Sequence, residues 1–77
     1  MATIDVEIAR SMIEKLRKQK RPKVYCVVRY YNVMFEKEYW AYFNNKFEYD
    51  SALGSGNARD INVMWWSDRY IKDFLRR

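Results

Sequence analysis

Glu38-Tyr39-Trp40-Ala41-Tyr42-Phe43-Asn44-Asn45-Lys46-Phe47-Glu48-Tyr49, residues 38–49, is the pivot of this sequence. Between Glu38 and Phe43 the side chains alternate, with Tyr39, Ala41 and Phe43 facing opposite Glu38, Trp40 and Tyr42. That two-residue period predicts a strand. Asn tolerates positive φ, so Asn44-Asn45 reads as a tight hairpin turn. On this reading Lys46 to Tyr49 returns as a short strand with Phe47 and Tyr49 on one face.

Immediately upstream, Val24 to Tyr31 is rich in β-branched and aromatic residues and predicts a further strand. Alternation groups Val24, Cys26, Val28 and Tyr30 on one face and Tyr25, Val27, Arg29 and Tyr31 on the other. Both faces are apolar enough to be the inner one. A turn is expected within Asn32 to Lys37. Before the strands, Asp5 to Gln19 predicts a helix whose apolar residues Val6, Ile8, Ala9, Met12, Ile13 and Leu16 fall within an arc of about 160°. Thr3 is its expected N-cap, and Pro22 stops it. Ser51 to Asp60 reads as a flexible loop. Its Gly54, Gly56 and Arg59 make a poor match to a phosphate cradle, because the dinucleotide fingerprint needs a third glycine and a βαβ unit. Ile61 to Trp66 reads as a strand, with Ile61, Val63 and Trp65 opposite Asn62, Met64 and Trp66. Ser67 and Asp68 then cap a short helix over about Asp68 to Arg76, whose Tyr70, Ile71, Phe74 and Leu75 share one arc. The expected architecture is α+β in the order α-β-β-β-β-α. An N-terminal helix leads into a three- to four-stranded antiparallel meander and a short C-terminal helix, both helices lying on one sheet face.

Seventy-seven residues hold one compact domain, spanning 1–77. With 49% apolar residues, two glycines and one proline, the chain is neither disordered nor collagen-like. No apolar run is long enough for a membrane span, and no basic-then-apolar opening marks a secretory signal. A single cysteine, Cys26, cannot close an internal disulfide, which predicts a reducing, cytoplasmic setting. The chain has no histidine. Without it, one cysteine builds neither a closed zinc site nor a Cys–His or Ser–His nucleophilic pair. Carboxylate-only chemistry leaves Glu36, Glu38, Glu48, Asp50 and Asp60 as candidates, and a cleft for them would remove much of so small a core. The expectation is a chain that is not an enzyme and uses no cofactor or metal.

The net charge of +5 is uneven. Residues 1–23 hold seven basic and three acidic side chains, whereas residues 24–50 hold three and four. The densest cluster is Lys15, Arg17, Lys18, Lys20, Arg21 and Lys23, more than helix capping alone requires. Aromatics reach 18%, a fraction that suits interfaces as well as cores.

From Tyr25 to Trp66 the layout resembles small uncharacterised accessory domains of bacteriophages and prophages. The resemblance is carried by the Tyr/Trp-rich segment Trp40-Ala41-Tyr42-Phe43-Asn44-Asn45-Lys46-Phe47, a polar loop, and the closing strand Val63-Met64-Trp65-Trp66. It covers about half the chain and implies a phage-encoded protein, acting in the host cytoplasm by binding host machinery.

Two functions compete. The first is a non-enzymatic binding protein, a phage-type inhibitor or modulator of a host protein or nucleoprotein complex. Its partner-binding residues would be Tyr25, Arg29, Tyr31, Trp40 and Tyr42, with the basic cluster steering it to an acidic partner. The second is direct DNA or RNA binding. Here Lys15, Arg17, Lys18, Lys20, Arg21 and Lys23 would contact phosphates while sheet aromatics stack on bases. An amphipathic helix lying on a membrane surface ranks behind both, since its apolar arc lacks aromatic anchors and the core needs it. A homodimer is compatible with unpaired edge strands and abundant aromatics.

Overall fold

A strand carrying Val27 on one face and Cys26, Val28 and Tyr30 on the other cannot be kept dry by a single covering layer. In the computed structural model, which describes residues 2–54 and 56–71, two layers cover it. The elements run β1 (Ala2–Ile4), α1 (Val6–Arg17), β2 (Cys26–Asn32), β3 (Lys37–Phe43), α2 (Lys46–Leu53) and β4 (Ala58–Trp66), followed by a single 3-10 turn over Asp68–Tyr70. All strand pairs are antiparallel, in the spatial order β1-β3-β2-β4.

The α+β class stands, but the meander does not. Residues Lys46 to Tyr49 are helical, and the cause lies in the side chains around Asn45. Its extended backbone, φ −156°, lets its Oδ1 accept the Glu48 N–H at 2.8 Å, while Glu48 Oε2 reaches back to accept the Asn44 N–H at 2.9 Å. This reciprocal cap satisfies donors that a helix start leaves orphaned, and it converts the expected hairpin turn into a helix N-terminus. The expected loop over 51–60 is divided. Its first residues finish α2, Gly54 caps it, Gly56 turns the chain at φ 84°, and Ala58 to Asp60 already belong to β4.

At the other end, Asp5 rather than Thr3 caps α1, accepting the Glu7 N–H at 2.9 Å. Thr3 is engaged in β1, opposite Ala41 of β3. The expected terminal helix is represented by the turn that Ser67 opens, and residues 72–76 lie outside the described residues.

The two described helices, α1 and α2, sit on opposite faces; the terminal helix expected to share a face with α1 lies largely outside the described residues. Ala9, Ile13 and Leu16 of α1 pack with Val27, Trp40 and Trp65. Tyr49, Ala52 and Leu53 of α2 pack on the other side with Cys26, Val28, Tyr30, Ala41 and Phe43. Alternation holds within β2 and fails just before it. Tyr25 belongs with the α2 layer and Val24 with the α1 layer, the reverse of the expected grouping. In β4 a register shift has the same effect. Val63 opposes Val28 and Trp65 opposes Val27, so Met64 is an extra residue. That bulge sends Val63 and Trp65 to opposite faces, contrary to simple alternation.

The Tyr30 hydroxyl is pushed above its ordinary 10.0, by burial first and by neighbouring Tyr39 second, with the Asn32 hydrogen bond pulling the other way. A raised phenol is more easily kept neutral in the fold than in the unfolded chain, so its contribution is intact below pH 10 and is lost as pH climbs through the raised value. Urea unfolding followed across that alkaline range should show a smaller loss for Tyr30→Phe than for the wild type. The cap makes a separate prediction. Asn45→Ala should cost about 1 kcal/mol, while Asn45→Ser, a good cap but a poor positive-φ turn residue, should stay within a few tenths.

Candidate functional site

Lysine and arginine in the last turn of a helix complement its negative end, and here they continue past it. Lys15 and Arg17 lie in that last turn and Lys18 caps it, donating its backbone N–H to the Lys15 carbonyl while the Gln19 N–H donates to the Leu16 carbonyl. Lys20, Arg21 and Lys23 follow in the connector to β2. Pro22 is buried between them and anchors the connector, so its charged neighbours project outward. All six basic residues named from the sequence are exposed, and the fold brings them to one end of the molecule.

That end gains a contributor the sequence reading did not single out. The Ser67 N–H donates to the Tyr25 carbonyl at 3.1 Å, which docks the 3-10 turn beside the basic connector. Arg69 of that turn borders a shallow depression of about 560 Å³ with Lys20, Arg21 and Asp68. Its guanidinium stands 5.6 Å from the Tyr70 ring centroid, which holds it near the surface. A neighbouring cleft of about 240 Å³ runs between Arg17 and Lys20 on one wall and Trp65 and Trp66 on the other. Arg69 stands far along the chain from Lys23, so its place beside the basic connector emerges only once the chain folds.

The five aromatic-set residues are not gathered in this way. Tyr25 is completely buried, with ring centroids 4.7 Å from Tyr70, 4.9 Å from Trp66 and 6.0 Å from Tyr49. Trp40 is buried on the opposite face, beneath α1. Tyr42 is half-buried against the same layer. Arg29 pairs across the strands with Glu38 at 3.4 Å, and Tyr31, opposite Glu38 and Arg59, is half-buried. An exposed patch made of all five therefore does not exist. Large apolar side chains do reach solvent elsewhere, among them Val6 and Ile8 of α1, Ile61 and Met64 of β4, and Ile71. Met34 and Phe35 lie at the β2–β3 turn, and Phe47 is in the first turn of α2, roughly 20 Å away along β3.

Among the described residues no three His, Cys, Asp or Glu side chains are grouped to hold a metal ion. None of the described helices is long and apolar enough to cross a membrane. Comparison with protein-family models, curated proteins and solved structures found no match.

The burial difference predicts how the aromatic set responds to truncation. Trp40→Ala should cost about 3–5 kcal/mol in urea unfolding, as emptying a core site does. Tyr31→Ala should cost about 1 kcal/mol or less.

Proposed function

We propose that this chain is a non-enzymatic binding protein that grips the phosphate backbone of nucleic acid with its basic end. The supporting observation is that Lys15, Arg17, Lys18, Lys20, Arg21 and Lys23 are all exposed and that Arg69 joins Lys20 and Arg21 around a depression whose one acidic member is Asp68. Glu36 and Glu38 lie at the opposite, hairpin end of the sheet, whereas Glu48 stands at the start of α2, next to the end of β3 that pairs with the connector side of β2, and the cations there outnumber it.

The form of recognition follows from the covered sheet. With a helix on each face, Tyr25 and Trp40 are interior and Tyr31, Tyr39 and Tyr42 are half-buried, which leaves the sheet aromatics little free ring face on which bases could stack. Contact is therefore mainly electrostatic and largely indifferent to base sequence. An aromatic hot spot on a protein partner is less well supported, because Tyr25 and Trp40 are interior. A phage-encoded modulator of a host nucleoprotein complex is one setting in which such a surface would operate.

Fluorescence anisotropy with a labelled duplex and a labelled single strand tests this reading. With four phosphate contacts, affinity should fall roughly a hundredfold between 50 and 200 mM salt. Lys18→Glu combined with Arg21→Glu should abolish binding while circular dichroism stays unchanged. Absence of binding to either oligonucleotide at low salt would overturn the proposal.

A further inference from the structure

Along α1 runs a groove of about 620 Å³ that reaches the connector at Gln19 and Val24 and shares Lys15 with the basic cluster. Its central residues are apolar. Ile8 is 56% exposed, Met12 is half-buried, and Val24 forms part of the opposite wall. Glu7 lies towards one end and Lys15 towards the other, eight residues or about 12 Å along the helix. Between them the small side chain of Ser11 leaves the helix surface low.

We infer that this groove is a two-fold interface with a second copy of the chain, the two α1 helices packing antiparallel about Ser11. The order acid, apolar, small, apolar, base is self-complementary under a two-fold axis. Reversing one helix about Ser11 brings Lys15 level with the partner's Glu7. The aliphatic stem of that lysine then covers the partner's Ile8, and its ammonium faces the carboxylate. Met12 comes against the partner's Ser11, where the small residue permits the usual 8–10 Å interaxial approach. An acidic peptide would complement Lys15 but meet Glu7, and a basic one would do the opposite. A second copy satisfies both charges at once.

The size of the surface sets the strength. A 12-residue helix is about 18 Å long, so the interface falls below the roughly 1,200 Å² total typical of stable complexes. The dimer is therefore weak and concentration-dependent. Lys15 belongs to both surfaces, whereas Glu7 and Ser11 belong to the groove alone and Lys18 and Arg21 to the basic end alone, so variants at those four positions read association and nucleic-acid binding separately.

Sedimentation velocity from about 10 µM to about 1 mM covers the range a small interface requires. The weight-average mass should rise from 9.5 kDa towards about twice that value. Glu7→Lys alone, or Lys15→Glu alone, places like charges together twice across the axis and should leave a monomer. The double variant Glu7→Lys plus Lys15→Glu should associate again. Ser11→Arg should block close approach without touching the core, and circular dichroism verifies that each variant is folded. A mass fixed at the monomer value at every concentration would overturn the inference. So would a dimer that Glu7→Lys or Ser11→Arg leaves intact, or a double swap that fails to restore association.

Discussion

Burial of β2 on both faces is the constraint from which the rest of the molecule follows. Val27 looks one way while Cys26, Val28 and Tyr30 look the other, and a small chain has few means of covering both sides. It uses one helix per face. β2 takes an inner position between β3 and β4, and the short β1 extends the sheet beyond β3 beneath the start of α1. Antiparallel pairing throughout keeps the connections short, which a 77-residue chain requires.

The same constraint explains the aromatic content. Two thin layers covered by helices of 12 and 8 residues leave much volume for side chains from the sheet and its flanks. Tyr25, Tyr49, Trp66 and Tyr70 fill one such region through tilted and edge-on ring contacts. Aromatic pairs in these geometries stabilise beyond the area they bury. The aromatic content is thus largely a packing device, and the recognition surface proposed above lies instead at the charged end of α1. That end is defined by a helix terminus, a buried proline and a docked turn, all parts of the rigid framework.

The sequence shows α1, β2, β3 and β4 through hydrophobic period, because each has enough residues for its pattern to repeat. β1 has three, too few for any period to register. The segment after β3 was misread because two signals compete at Asn45. Its tolerance of positive φ suggests a hairpin, whereas Asn45-Lys46-Phe47-Glu48 has the spacing of a helix-capping pattern, and the cap wins because it satisfies two backbone donors. Bulges have no composition of their own, so the Met64 register shift that separates Val63 from Trp65 could not be read in advance. Among the site residues, the six clustered cations were legible from density alone. Arg69 was not, since it is remote from them in the chain and its turn comes alongside through the Ser67–Tyr25 hydrogen bond and the Tyr25–Tyr70 ring contact. Tyr25 and Trp40 illustrate the converse, because side-chain type does not distinguish an interface aromatic from a core one.

The central claim is that covering both sheet faces leaves the basic end as the surface that meets a partner. Backbone amide chemical-shift mapping during titration with a short duplex tests it most directly. The account predicts that the large shifts fall on residues 15–23 and 67–69 and spare the central strand at 26–30. Large shifts centred on Tyr31, Trp40 and Tyr42, with the basic segment unmoved, would contradict it.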